Sequence, residues 1–238
     1  HLTGGVGVWN LIVWGLVPTV FLLLVQKDSL TRYWPLSLYA DQYQQEGSGI
    51  QAVLLWLWLL GSALLSPGNA APLPFVPILN PLELSQLIVF LLIFRWLILH
   101  QEYILSHIPL HILAGSGGAT IFLWLNAVLA RSVHHFAAVA FDTETMLNSQ
   151  LYQAGLAVLW GTVSLFLMMT AHRLKHRILW LIGAGLVGIT VPKLFLIDLA
   201  NSGTVERIVS FLAVGILLMI IGYFAPLPPA RIEKEKMA

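Results

Sequence analysis

Long apolar stretches, broken by short polar or proline-rich segments, set the pattern of this chain. An apolar run of roughly 20 residues is enough to cross a bilayer as a helix. Seven such spans can be drawn, at about 6–25, 50–66, 82–99, 112–130, 149–171, 177–199 and 205–224. The breaks between them are recognisable. "VQKDSLTR" closes the first span, "SPGNAAPLPFVP" stops the second and "LNPLEL" opens the third, while "APLPP" halts the seventh. Proline lacks an N–H and ends helices, so 66–81 reads as a fixed loop. The segment 131–147, "RSVHHFAAVAFDTETML", is too polar to span but helical in content. It reads as a short helix at the outer face. The expected fold is therefore all-α, a polytopic transmembrane helix bundle forming one domain over 1–238.

Composition supports this reading. Of 238 residues, 58% are hydrophobic and 10% are charged, against about 25% charged in soluble domains. A membrane barrel would need short alternating strands, which this chain lacks. The net charge of +1 gives no reason to expect nucleic acid, and with no cysteine there is no disulfide or thiolate chemistry.

Lys and Arg near span ends favour the cytoplasm. "AHRLKHR" (171–177) and the tail "ARIEKEK" are the basic segments, and both are expected there. Counting back puts 26–49 and 100–111 on the same side. The N-terminus, 67–81, 131–148 and 200–204 then lie outside. The expected location is a bacterial inner membrane, with the C-terminus cytoplasmic.

Ionisable residues inside membrane spans are costly and mark buried or watery positions. Lys193 and Asp198 stand in "VPKLFLIDLANSG". On a helix they lie about 140° apart around the axis, so each needs a partner from another element. Glu83, Arg131 and the Glu206/Arg207 pair are the candidates near the same face. If 131–147 is helical, Arg131, His135 and Asp142 share one stripe, with His134 beside it. Imidazole, carboxylate and guanidinium together can move protons or grip an anionic headgroup. Such charges also cap helices, pair or snorkel with no further role.

No metal or cofactor is expected. His134 and His135 point about 100° apart on a helix, which suits a shared ion poorly. His107 and His111 have a zinc-like spacing, but Pro109 lies between them. The histidines sit near span ends, where they would not hold a haem. Asn126, Gln150 and Gln153 read as inter-helix hydrogen-bonding groups. The nine tryptophans suit interfacial anchoring, with Trp56 and Trp58 deeper.

"LNPLEL", "RSVHHFA", "QAGLAVLWG" and "KLFLIDLANSGTVERIVSFLAVGILLMIIGYFAPLPP" follow one another in an order that resembles a bacterial family of predicted membrane proteins, domain of unknown function 2339. The resemblance spans roughly 75–230. It implies that the chain is the C-terminal part of a longer one. It also implies that Asn80, Pro81, Arg131, His134, His135, Lys193, Asp198, Arg207 and Ser210 belong to the family pattern. No reaction comes with it.

The functional expectation is an outward-facing polar network of Asn80, Glu83, Arg131, His134, His135, Asp142, Lys193, Asp198 and Arg207. Its partners would be membrane lipids and a second membrane protein. It would handle an envelope lipid or glycan. The alternatives are a non-catalytic scaffold or subunit and, third, a transporter. A transporter would show repeats and broken helices, and only Pro192–Lys193 hints at one.

Overall fold

A computed structural model describes residues 7–25, 34, 36–39, 46–194 and a few positions between 212 and 223. Among the described residues every regular element is helical. Besides a 3-10 turn at Leu36–Leu38, those with bounds are α1 (Val8–Val25), α2 (Ser48–Leu65), α3 (Pro81–Leu99), α4 (Gln101–His107), α5 (Leu110–Ala137), α6 (Thr143–Asn148), α7 (Gln150–Leu174) and α8 (Arg177–Lys193). Four of these, α2, α3, α5 and α7, are long and apolar enough to cross a membrane, and Val8–Leu24 is a shorter apolar helix. The expected seventh span, 205–224, falls largely outside the described residues. The chain divides into two compact units, His1–Phe141 and Asp142–Ala238.

In the first unit, α1 packs on α2 and α3, and α2 packs on α3 and α5. Hydrogen bonds between helices fix direction and register. The Trp58 indole N–H donates to the Leu11 carbonyl at 3.0 Å, and Gln51 donates to the Pro18 carbonyl. Those pairings make α1 and α2 antiparallel. Trp96 reaches Ser48 Oγ at 2.8 Å and Gln86 reaches Ser62 Oγ at 2.9 Å, so α2 and α3 are antiparallel as well. The Trp56 indole donates to Thr120 Oγ1 at 2.9 Å and Arg131 reaches the Ser62 carbonyl, so α5 runs parallel to α2. Lipid is as apolar as leucine, so packing and polar contacts of about 0.6 kcal/mol each hold such helices together. Between the polar rungs, Leu22, Ala52, Leu55, Leu59, Val89, Trp96 and Ile104 form the main apolar core.

This register brings the start of α1, the end of α2, the loop 66–80, the start of α3 and the end of α5 to one end of the unit. Those are the segments that the charge pattern assigns to one face. The expected helix at 131–147 is corrected. Residues 131–137 are the last two turns of α5, and Ala138, at φ 53°, ends that helix in the left-handed region. A separate helix starts only at Thr143. Residues 100–111, between two expected spans, contain α4.

In the second unit, α7 and α8 form an antiparallel hairpin. Lys175 turns the chain at φ 54°, and the His176 N–H closes on the Ala171 carbonyl at 2.9 Å. Ser164 donates to the Gly183 carbonyl at 2.6 Å, where the two backbones approach closely, beside a core of Met168 and Val187.

Gly15 sits where Trp58 crosses α1, and a β-carbon there would overlap the indole ring. The variant Gly15→Leu should force Trp58 off the Leu11 carbonyl. It should destabilise the protein by about 1–3 kcal/mol, the usual cost of overpacking, in equilibrium unfolding in detergent. Gly61→Leu, at a glycine with open space around it, should cost much less.

Candidate functional site

The polar cluster at the end of the first unit is built outward from Arg131. This side chain is fully buried, at 0% exposure. Helices leave their last carbonyls without partners, and Arg131 supplies donors to the end of α2. Its Nη2 donates to the carbonyls of Ser62 and Ala63 at 2.9 and 3.1 Å, and its Nε to that of Ser66 at 3.0 Å. Its Nη1 lies 3.4 Å from Gln86 Oε1 and 3.5 Å from Glu83 Oε1. A guanidinium has five N–H groups; this one makes four hydrogen bonds and one ion pair. A cation at a helix C-terminus is also favoured by the helix dipole.

Glu83 provides the countercharge. It too is fully buried and stands in the first turn of α3, where a carboxylate is favoured. Its other oxygen accepts from the Ile78 N–H. Asn80 caps the same helix by accepting from Leu82 N–H at 2.9 Å, and its amide donates to the Gly68 carbonyl at 2.8 Å. Pro81 occupies the first helical turn, where a missing N–H costs nothing. Gly68 adopts φ 74°, and a β-carbon on it would lie 3.1 Å from Arg131 Cδ. Only glycine fits that turn without strain.

The histidines hold the rim. His135 Nε2 meets the Pro67 carbonyl at 2.9 Å, and its ring stacks on Phe75 at 4.2 Å between centroids. His134 Nδ1 meets the Val139 carbonyl at 2.6 Å. Each nitrogen facing a carbonyl must carry the proton. The loop 66–80 is thus tied to α5 through Pro67 and Ser66, to α3 through Gly68 and Ile78, and to α1 through Trp9, whose indole donates to Ala71 O at 3.0 Å.

Asn80, Glu83, Arg131, His134 and His135 therefore come together as expected. Asp142 does not share a helical stripe with Arg131, because Ala138 ends α5 between them. It belongs to the second unit, where it caps α6 by accepting from Thr145 N–H at 2.8 Å. Lys193 also lies in the second unit, and its Nζ donates to the Gln153 carbonyl at 3.3 Å. Asp198 and Arg207 lie outside the described residues. Asn126 donates to the Phe122 carbonyl of its own helix at 2.7 Å. Sequence reasoning missed Gln86, which donates to Ser62 while accepting from Trp124 at 2.9 Å and from Arg131. Its signal was a lone amide in an apolar helix, one turn from Glu83.

Apolar spanning helices with exposed leucine, valine and phenylalanine flanks, closed at one end by a buried ion pair, define a polytopic membrane protein. The chain belongs to the family described as predicted membrane protein (DUF2339), whose model matches residues 2–228. The match extends past the 75–230 stretch that carried the resemblance and takes in the N-terminal quarter. No curated protein and no solved structure matches the chain.

Removing one member of a buried pair leaves the other charge uncompensated. Arg131→Met should cost about 3–5 kcal/mol of stability. Adding Glu83→Leu to it should cost less than the sum of the two single changes, as a double-mutant cycle on detergent-solubilised protein would read. A second outcome concerns Asp142. The Thr145 amide holds its carboxyl below the usual range. Its contribution is therefore present above the unfolded pKa and lost as pH falls through the lower folded value. Hydrogen exchange at the start of α6 should speed up, relative to the intrinsic rate, in that acidic window, and Asp142→Ala should abolish the dependence.

Proposed function

We propose that this chain is a non-catalytic structural module of a bacterial inner membrane, with the Arg131 end facing outward and the C-terminus in the cytoplasm. The observation that carries the reading is the use of Arg131. It is fully buried, donates four hydrogen bonds within the bundle and pairs with Glu83 at 3.5 Å, so it presents no N–H to a headgroup at the surface. Asn80 and Glu83 are equally enclosed. Such a cluster locks three helices and a loop together, as suits a scaffold or subunit. The proposed orientation follows the basic segments at 171–177 and 231–236, which favour the cytoplasmic side.

A second reading keeps the handling of an envelope lipid or glycan, and rests on the rim. His134 and His135 are half-buried, and each spends one ring nitrogen on a backbone carbonyl. The other nitrogen could serve proton transfer or hydrogen bonding.

Extraction from native membranes in copolymer nanodiscs, followed by cross-linking and mass spectrometry, separates the two. The scaffold reading expects one protein partner in fixed ratio, retained when His134 and His135 are both alanine. A chain that emerges without protein but with a defined lipid or glycan, lost in that double variant, would replace it with the second reading.

A further inference from the structure

Nine consecutive apolar residues, "APLPFVPIL" (71–79), cross the end of the first unit. Only Phe75 and Pro77 are half-buried, and the other seven are exposed, Leu79 at 63%. An apolar stretch of this kind in a loop calls for an occupant. The loop cannot simply fold inward, because Arg131, Asn80, Glu83, His135 and Trp9 pin it at Ser66, Pro67, Gly68, Ala71 and Ile78.

Its level relative to the membrane can be read from those pins. Trp9 stands in the first turn of α1, is partly exposed, and donates to the Ala71 carbonyl. Tryptophan with an apolar body and one N–H favours the membrane–water boundary. Next to the loop in the chain, Leu64 and Leu65 at the end of α2 and Leu84 at the start of α3 are exposed as well. Those side chains belong to helices that cross the bilayer, so the same bilayer reaches the loop's edge.

We infer that residues 71–79 lie in the headgroup–acyl boundary of the chain's own bilayer, as a rigid interfacial loop with Leu73, Val76, Ile78 and Leu79 inserted. The depth is limited. Irregular backbone exposed to hydrocarbon would leave its carbonyls without partners, so the loop stays at the boundary, where water reaches them. Three prolines reduce the number of N–H donors needing partners. Leu73, Ile78 and Leu79 N–H groups already have acceptors in Ala70, Glu83 and Val76. The absence of any charge from 71 to 79 suits lipid contact better than a polar protein rim. This inference requires only membrane insertion, and it stands or falls separately from the scaffold reading.

The chain has no cysteine, so single labels are unambiguous. Leu73→Cys and Leu79→Cys would each carry an environment-sensitive NBD fluorophore. Leu91→Cys, on the exposed flank of α3, and Glu144→Cys, at an exposed helix start, serve as lipid and water controls. The full chain is placed in nanodiscs of phosphatidylethanolamine and phosphatidylglycerol, where both faces meet buffer. Each variant is first checked for unchanged thermal unfolding. The expected result is blue-shifted emission at 73 and 79, stronger quenching by a shallow than a deep nitroxide lipid, and dithionite reduction several-fold slower than at 144. Reduction as fast as at 144 would overturn the inference. So would labels that react freely in pure-lipid nanodiscs but are shielded in native-membrane ones, which would make the occupant a protein.

Discussion

A guanidinium without solvent is among the most demanding groups a helical bundle can hold. Water offers it hydrogen bonds in every direction, and the protein must replace them all or lose several kcal/mol. Here the replacement comes from the places where helices are themselves incomplete. The end of α2 has carbonyls with no N–H to receive, and the start of α3 favours negative charge. Arg131 and Glu83 stand at those ends, so the charge of each satisfies a deficit that the fold creates anyway. Loop closure, helix register and the meeting of α2, α3 and α5 all depend on that double use.

The lower rungs follow the same logic with smaller groups. Trp56, Trp58, Trp96 and Trp124 each send an indole N–H to another helix. Because a tryptophan offers one donor and a large apolar face, it can both fill a core and fix a register. The acceptors are Thr120, the Leu11 carbonyl, Ser48 and Gln86, and Gln86 in turn donates to Ser62. The bundle of the first unit is thus polar at intervals along its length and ionic at one end.

Much of this was legible beforehand. Apolar runs located α1, α2, α3 and α7 to within a few residues and the start of α5, though not its last two turns, because bilayer thickness imposes a length that short core helices do not share. The loop at 66–80 was marked by its prolines. Asn80, Glu83, Arg131, His134 and His135 could be gathered by counting which span ends share a face. What escaped was direction and partnership. Nothing in "RSVHHFAAVAFD" tells that Ala138 takes a left-handed conformation, and that single residue detaches Asp142 from the stripe it would otherwise join. The Nζ of Lys193 donates to the carbonyl of Gln153, a contact that pairing side chains does not foresee. Backbone carbonyls are invisible to a reading that pairs side chains, and Arg131 too takes three of its four hydrogen-bond acceptors from the main chain.

The separation in sequence between Arg131 and its acceptors has a consequence for how the chain is made. Ser66 and Arg131 are 65 residues apart, and synthesis runs from the N-terminus. When α2 and α3 first enter the bilayer, the carbonyls at the end of α2 and the carboxyl of Glu83 have no cation to meet. The hairpin of α2 and α3 must wait, incompletely paired, until the last turns of α5 emerge. Arg131 is therefore a late-arriving keystone. Insertion of α5 both adds a span and closes an assembly begun more than sixty residues earlier, so the order of translation is built into the stability of the finished bundle.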